Sequence, residues 1–277
     1  MKILYMGTAA AEGWPGLFCS CPVCTHARKA GGRNLRTRTQ ALLDNSLLID
    51  FPPDTYAHAL QYGLNLAAVH TLLVTHSHMD HWFPTDLIHR HEHFGHCAKG
   101  VLEVYGNEAV RKAFDEHILI DRFKPHPIDD TVHFHVTHGG DLIRSNGWEI
   151  TAVPADHDKR EECLVYLCKK EGKTVFYGHD TGRNLSRKAW ELIEKESFDL
   201  VSLDATMGTK SVREYHMGLP DAEDMFEKLA GMGCISGRTV KVVNHFSHNG
   251  EMTYDQLALW GRERGILAAY DGMEVEF

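Results

Sequence analysis

The chain has 277 residues and a mass of 31.3 kDa, which is enough for one substantial core or two small domains. Hydrophobic residues make up 43% and charged residues 24%, as in ordinary globular proteins. A formal charge of −9 argues against a surface that coats nucleic acid, which needs an excess of Lys and Arg. No apolar segment reaches the length of a signal peptide or membrane span, so the sequence predicts a cytoplasmic protein.

Short apolar, β-branched segments recur along the chain and end in turn-forming or polar residues, which predicts strands. They cover residues 2–6, 41–50, 71–75, 101–105, 131–136, 149–153, 164–168, 174–177, 200–203, 240–243 and 274–277. Apolar residues three and four apart predict helices at 55–62, 108–117, 186–195, 220–229 and 254–264. Strands outnumber helices and do not alternate strictly with them. We therefore expect an α/β fold of two mixed sheets packed face to face, with helices outside, in one domain spanning 1–277.

Three of the seven cysteines lie close together in F-C-S-C-P-V-C, at Cys19, Cys21 and Cys24. This spacing disfavours disulfides among the three, whereas three thiolates on one loop suit a structural zinc with a histidine as fourth ligand. A reduced cysteine loop without metal is the alternative. The spacing leaves four candidates for the fourth ligand: His26, His248, Cys97 and Cys234.

The segment 71–82, T-L-L-V-T-H-S-H-M-D-H-W, places three histidines and an aspartate directly after an apolar run. Imidazole and carboxylate together suit zinc, iron or manganese. Four ligands are too many for one catalytic ion that keeps an open position. The pattern therefore predicts a two-metal site, with His76 and His78 on one ion and Asp80 and His81 on the other. A polar loop with solvated histidines is the alternative.

Ligand-type residues also follow three later strands. His157 in P-A-D-H-D suits the first ion, His245 in N-H-F-S-H suits the second, and Asp180 in G-H-D-T-G suits a bridge between them. The spacing alone leaves three adjacent competitors: Asp156, Asp158 and His179. The polar, histidine-rich segment 88–99 predicts a surface loop, and residues 89–96 are a candidate region for substrate selection.

H-S-H-M-D-H at 76–81, followed by His157, Asp180, His245 and the ending A-A-Y-D-G-M-E, resembles the metallo-β-lactamase superfamily. The resemblance implies a four-layer αββα sandwich with the metals at one edge. It assigns His76, His78 and His157 to one ion, and Asp80, His81 and His245 to the other, with Asp180 bridging. Asp50 matches the acidic strand end that supports the site in this superfamily, with an ordinary turn residue as the alternative. His179 departs from the pattern, because a small residue is more usual beside the bridging aspartate.

G-T-A-A-A-E-G-W-P, C-x-C-x-x-C and the pair His245 and His248 look like the PhnP-type phosphodiesterases, which accompany a carbon–phosphorus lyase in bacteria. In that group a cysteine loop, here at about 13–26, and the second histidine hold a structural zinc. The resemblance therefore assigns this zinc to four residues: Cys19, Cys21, Cys24 and His248.

The same comparison gives His216, just before a helix, the role of protonating the leaving group; an ordinary loop histidine is the alternative. Asp204 would orient or charge-balance His216, and Asp80 completes the predicted catalytic set. The hypothesis is hydrolysis of small cyclic or linear phosphodiesters, such as ribose or nucleoside cyclic phosphates. The nucleophile would be a hydroxide bridging two zinc or manganese ions.

Other functions within and outside this class compete with that hypothesis. The pyrroloquinoline-quinone synthesis protein B shares the fold and is thought to perform iron-dependent oxidation. A transfer-RNA 3′-processing endonuclease is disfavoured by the acidic charge and the absence of a long inserted arm. A non-catalytic binding protein would need a decayed ligand set. The expected partner is a small-molecule substrate, without a membrane or nucleic acid, and homodimer formation is left open.

Overall fold

The computed structural model describes residues 1–96, 100–120, 128, 130–212 and 214–277. Within these residues the strands form two seven-stranded sheets. The first sheet contains β1 (Lys2–Gly7), β2 (Gln40–Leu43), β3 (Leu47–Ile49), β4 (Thr71–Leu73), β5 (Leu102–Gly106), β6 (Val132–Val136) and β14 (Met273–Glu276). The second contains β7 (Leu142–Ser145), β8 (Trp148–Pro154), β9 (Leu164–Lys170), β10 (Lys173–Gly178), β11 (Leu200–Asp204), β12 (Val240–Asn244) and β13 (Leu267–Ala268).

Both sheets are mixed, and they have the same internal arrangement. The first runs β14-β1-β2-β3-β4-β5-β6, antiparallel as far as β3 and parallel from β3 to β6. The second runs β13-β12-β11-β10-β9-β8-β7, parallel as far as β10 and antiparallel beyond it. The carboxyl ends of the parallel strands gather loops at one edge of each sheet, which is where α/β proteins build sites.

The two sheets pack face to face through large buried side chains that also hydrogen-bond across the interface. The Tyr5 hydroxyl on β1 donates to Ser202 Oγ on β11 at 2.9 Å. The Tyr166 hydroxyl on β9 donates to the Val74 carbonyl after β4 at 2.7 Å. Both tyrosines are fully buried in the core between the sheets. Pairing their hydroxyls removes the cost of burying a polar group, so the apolar rings fill the core without penalty.

Helices cover the outer faces of both sheets. The helices of the described residues are α1 (Pro22–Ala30), α2 (Thr55–Gln61), α3 (Glu108–Ile120), α4 (Arg187–Ile193), α5 (Leu219–Gly231) and α6 (Tyr254–Arg264). Of these, α3 packs on the first sheet, and α4, α5 and α6 pack on the second. Val110 and Phe114 of α3 join the core outside the first sheet, and Ile193 of α4 and Leu229 of α5 pack with the second. The order helix, sheet, sheet, helix confirms the predicted αββα sandwich.

The structure corrects several predicted elements. Residues 41–50 form a hairpin of β2 and β3 instead of one strand, because Asp44 and Asn45 adopt positive φ angles of 44° and 52° and the chain reverses over Asp44–Ser46, between the paired residues Leu43 and Leu47. The cysteine segment is not wholly a loop, since α1 begins at Pro22 within it. The strands β7 and β13 were not predicted. The prediction of a single domain stays a prediction.

The histidine-rich segment 89–96 begins with the last two residues of a 3₁₀ helix at Pro84–Arg90 and continues along the surface, and its side chains are exposed or half-buried. Cys97, one candidate zinc ligand, lies outside the described residues. Among the helices of the described ranges, none has the length and apolar character needed to cross a membrane.

Candidate metal centre

Four strand ends deliver the predicted active-site ligands to one edge of the sandwich. The segment 76–81 follows β4 of the first sheet. His157, Asp180 and His245 follow β8, β10 and β12 of the second sheet. The ligands therefore come from both sheets and meet where the sheets face each other.

Two of these ligands occupy strained backbone positions. Asp180 has a φ of 49° and His245 a φ of 62°, and Asp50 beside them has a φ of 64°. Residues other than glycine adopt this left-handed region at a cost of order 1 kcal/mol or more. Three neighbouring turns have this strained conformation, which directs their side chains inward. Strained backbone of this kind is common at functional sites.

The structure brings the ligands into two groups whose donor atoms lie within 4.8 Å of one another. One group is His76, His78 and His157; the other is Asp80, His81, Asp180 and His245. This division is the one the sequence predicted, except that Asp180 clusters directly with the second group.

Asp180 nevertheless faces both groups. Its Oδ2 lies 2.5 Å from His81 Nε2, 3.0 Å from His245 Nε2 and 3.9 Å from His76 Nε2. Its Oδ1 lies 4.0 Å from His157 Nε2. One carboxylate thus approaches imidazoles of both groups, which is the position a bridging ligand occupies.

Unsatisfied buried nitrogens show that cations fit this centre. The Nε2 atoms of His76, His81 and His245 are buried and make no hydrogen bond of acceptable geometry within the described part of the chain, although Asp180 Oδ2 lies 2.5 and 3.0 Å from those of His81 and His245. Leaving a buried polar atom unpaired costs about 1–3 kcal/mol, and three at one place need an explanation. Imidazole nitrogens converging with carboxylate oxygens are a donor set for zinc, iron or manganese.

The second nitrogen of each histidine has a partner that fixes the ring. His81 Nδ1 lies 2.7 Å from the Asp50 carboxylate, and His78 Nε2 lies 2.9 Å from Asp158. The three other contacts are His76 Nδ1 with Thr75 Oγ1, His157 Nδ1 with the Tyr215 carbonyl and His245 Nδ1 with Thr206 Oγ1, at 3.0, 2.8 and 2.7 Å. Such partners set the ring orientation and the tautomer, and direct the remaining nitrogen at a metal.

The charges in the centre are strongly coupled. Burial alone would raise the pKa of Asp180, but His245 and His81 hold it well below its usual range. Burial alone would lower the pKa of His245, but Asp180 and Asp204 raise it to about 9. Burial and the neighbouring His81 lower the pKa of His76. The buried carboxylates thus require positive charge beside them.

His216 and Asp204 lie against the second group. His216 Nδ1 is 3.1 Å from Asp180 Oδ1 and 3.3 Å from Asp204 Oδ2. Burial works against its charge, but these two carboxylates raise the pKa of His216 to about 11. Asp204 also accepts backbone N–H bonds from Asp180, Thr206 and Met217 at 3.0–3.1 Å. Because His216, Asp204, Asp180 and His245 also lie within 4.8 Å of one another, the geometry allows His216 to act as a ligand as well.

The sequence competitors have other partners. His179 is buried, with Nε2 2.8 Å from Ser202 Oγ, and burial lowers its pKa to about 3. Asp156 pairs with Lys159, and Asp158 contacts His78 and Arg160.

The sequence did not predict the orienting roles of Thr75, Thr206 and the Tyr215 carbonyl. Hydroxyls and carbonyls occur everywhere in a chain, so their spacing carries no signal.

The cysteines form a separate cluster with His248. The ligand atoms of Cys19, Cys21, Cys24 and His248 lie within 4.8 Å of one another, and His248 Nδ1 is 3.7 Å from Sγ of both Cys19 and Cys21. Burial would raise the pKa of the Cys21 thiol, but hydrogen bonds from the Cys24 backbone and from its thiol neighbours lower it to about 7. Neither His26 nor Cys234 is in this group. Four sulfur and nitrogen donors of this kind fit a structural zinc.

Comparisons with known proteins agree with this architecture. Residues 45–246 match the model of a family described as the β-lactamase superfamily domain. An alignment over 94 residues gives 33% identity to coenzyme PQQ synthesis protein B of Methylobacterium radiotolerans. It covers 29% of this chain and 31% of the curated relative's length.

Three solved structures share the fold over the whole chain. A diphosphatase from the PhnP family matches with a TM-score of 0.75 and 22% identity, covering 100% of this chain and 97% of that one. Zn(2+)-bound PqqB from Methylobacterium extorquens matches with a TM-score of 0.69 and 17% identity, covering 100% of both chains. The short form of human tRNase Z matches with a TM-score of 0.67 and 15% identity, covering 100% of this chain and 99% of that one. At these identities the likeness shows the fold.

Proposed function

The chain belongs to the family of β-lactamase superfamily domains, a superfamily of metal-dependent hydrolases, and on this premise we propose that it hydrolyses small phosphodiesters. The substrate class rests on chemistry at the centre and on the sequence resemblance to PhnP-type enzymes. A solved structure with the same fold is that of a diphosphatase from the PhnP family, and its name supports a phosphate-containing substrate. Cyclic phosphates of ribose or nucleosides are the first candidates.

The observation that carries the proposal is the position of His216. Asp180 and Asp204 lie 3.1 and 3.3 Å from its Nδ1, and Asp204, which holds no ion in this proposal, favours the protonated ring. Nε2 has no hydrogen-bond partner among the residues that the structure describes, and the side chain is 28% exposed. A cationic imidazole with a free N–H beside the centre donates that proton to the departing alkoxide.

The remaining residues bind and position. A pair of divalent ions, when bound, supplies a water of lowered pKa and positive charge for the phosphoryl oxygens. His76, His78 and His157 would hold one ion, and Asp80, His81 and His245 the other, with Asp180 shared. Asp50, Asp158 and Thr206 keep the imidazoles oriented. Cys19, Cys21, Cys24 and His248 would hold a structural zinc. Zinc and manganese both suit the active-site donors.

The proposal is tested by turnover of cyclic and linear phosphodiesters, and of precursor transfer RNA, with metals counted in the same preparation. In His216→Ala, substrates with poor alkoxide leaving groups should lose about 10²–10⁴-fold in kcat/KM. Activated aryl esters should lose far less, because an aryloxide departs without a proton. His138→Ala, which removes an exposed histidine paired with Glu162, is the control. Equal losses on both substrate types would contradict the acid role.

A second candidate is metal-dependent oxidation, favoured by the local sequence match to coenzyme PQQ synthesis protein B. Metal content separates the two activities. Two zinc or manganese ions with phosphodiester turnover support hydrolysis. One iron per centre, with oxygen uptake and without phosphodiester turnover, supports oxidation. A small-molecule partner, a cytoplasmic location and a homodimer stay predictions.

A further inference from the structure

Tyr215 occupies the strained centre of a γ-turn beside the metal centre. The His216 amide donates to the Glu214 carbonyl at 2.8 Å, and Tyr215 between them has a φ of 68°. A γ-turn whose central residue has a positive φ is rare and strained. A bulky side chain at positive φ is an outlier of the kind that collects at functional sites. The proposed hydrolysis makes no use of the side chain of this tyrosine.

The backbone of Tyr215 is tied to the residues of the centre. Its carbonyl accepts a hydrogen bond from Nδ1 of the ligand His157 at 2.8 Å. The next residue is His216, whose ring centre lies 4.9 Å from that of His157. The turn therefore fixes Tyr215 between a metal ligand and the proposed general acid.

The side chain of Tyr215 is open to solvent at this position. The residue is 46% exposed, and Lys159 Nζ lies over the ring, 5.7 Å from its centre. Lys159 follows His157 by two residues and pairs with Asp156, so the ring lies beside the segment that carries His157. A single exposed aromatic residue is ordinary on a protein surface. Its position in a strained turn next to a metal centre is what singles out Tyr215.

A phosphodiester bound for the proposed reaction would extend past this ring. Its phosphoryl group would meet the ions and its leaving oxygen would approach His216, so the group beyond that oxygen would come next to Tyr215. An exposed aromatic ring presents a π face on which any nucleobase can stack. The nearby ammonium of Lys159 also attracts the π face of a base. A nucleoside therefore suits this position better than a bare alcohol does.

We propose that Tyr215 is a specificity-determining residue that stacks on the base of the substrate. Nucleoside cyclic phosphates are then preferred to cyclic phosphates that lack a base. The inference rests on the proposed phosphodiester hydrolysis and narrows its substrate class.

The first test compares kcat/KM for adenosine 2′,3′-cyclic phosphate and for glycerol 1,2-cyclic phosphate, which lacks a base, with metals counted in each preparation. Tyr215→Gly removes the ring, and glycine suits the positive φ of the turn. In this variant the ratio of the two kcat/KM values should fall about tenfold, mainly through a higher KM for the nucleoside substrate. The ratio cancels any loss that a shift of His157 causes for both substrates. Tyr215→Phe keeps the ring and should keep the wild-type ratio, as should Tyr56→Ala, which removes an exposed ring of α2.

The second test does not depend on turnover. In calorimetric titrations of the metal-loaded full chain, the wild type should bind AMP more tightly than glycerol phosphate, and Tyr215→Gly should lose about tenfold of that preference. If the wild type shows this preference but hydrolyses neither cyclic phosphate, the hydrolytic proposal fails and the stacking inference stands. The inference itself fails if the wild type does not prefer the compound with a base, if Tyr215→Gly keeps the wild-type ratios, or if Tyr215→Phe loses them. Thermal unfolding confirms that each variant is folded.

Discussion

The two oxygens of Asp180 face different histidines. Oδ2 lies within 3.0 Å of Nε2 of His81 and of His245, and Oδ1 faces His216 and His157. The carboxylate is buried and its backbone is held in the left-handed region. A side chain placed at such cost at the meeting point of two ligand groups should affect both groups when it is changed.

Replacing Asp180 by asparagine should therefore weaken metal binding in both ligand groups. The change keeps the shape and removes the negative charge and one anionic oxygen, so we expect fewer active-site ions per chain and at least about 10²-fold lower hydrolysis. Elemental analysis of the purified variant, with activity, measures both. The zinc that we propose for the cysteine cluster should remain, and Asp224→Asn, at an exposed position of α5, is the matched control. Full metal content in Asp180→Asn would refute the shared role.

At the scale of elements, the sequence predicts most strands because each apolar run is bounded by turn residues. The failures have physical causes. The hairpin of β2 and β3 looks like one strand since its turn, Asp44–Ser46, is flanked on both sides by apolar residues. Helix α1 begins inside the cysteine segment, where the cysteine spacing predicts a metal-binding loop and gives no sign of helical periodicity. The strand β7 alternates exposed Leu142 with buried Ile143, too short a pattern to distinguish from a loop.

Helix α2 carries a buried neutral histidine that should make stability depend on pH. His58 is fully buried, with its two ring nitrogens 2.7 Å from oxygens of Gln40 and Thr37. Burial lowers its folded-state pKa to about 4, against about 6.5 in the unfolded chain. Between these values the unfolded chain binds a proton that the folded chain does not. The stabilising contribution is therefore complete above pH 6.5 and is lost as the pH falls towards 4.

Unfolding by urea at pH 7 and pH 5 tests this expectation. Between these pH values the wild type should lose about 2 kcal/mol of its free energy of unfolding through His58. His58→Gln cannot be protonated at this position, so its free energy of unfolding should fall by about 2 kcal/mol less than that of the wild type between pH 7 and pH 5. His26→Gln, at an exposed position of α1, is the control and should keep the wild-type pH dependence. Parallel pH profiles for wild type and His58→Gln would show that His58 does not titrate in this window.

At the scale of the whole molecule, the candidate site is predictable because its ligands are chemically distinctive and follow strand ends. H-x-H-x-D-H after β4 places four ligand-type residues in six positions. His157, Asp180 and His245 are single residues without a compact motif of their own. The fold brings the three strand ends that they follow to the same edge of the sandwich. The orienting contacts, such as Asp158 with His78, depend on side-chain geometry that a linear pattern does not contain.

The centre joins the two sheets, because its histidines come from β4 of one sheet and from the ends of β8 and β12 of the other. Ions bound there should therefore hold the sandwich closed at this edge. A ligand that binds only the folded chain stabilises it, by about 2.7 kcal/mol at 100 times its dissociation constant. For a protein of this size, such a gain raises Tm by roughly 5 °C or more.

Metal removal should accordingly lower Tm, and Tm should rise with the logarithm of free zinc as zinc is restored. Two variants separate the contributions of the two sites: Cys21→Ser should lose the part that comes from the cysteine cluster, and Asp180→Asn the part from the strand ends. Hydrogen exchange should quicken on metal removal in the turns after β4, β10 and β12, since these carry the ligands. A Tm indifferent to metal in the wild type would mean that the strand ends are held together without cations. In that case the convergence of imidazoles at this edge would need a different explanation from metal binding.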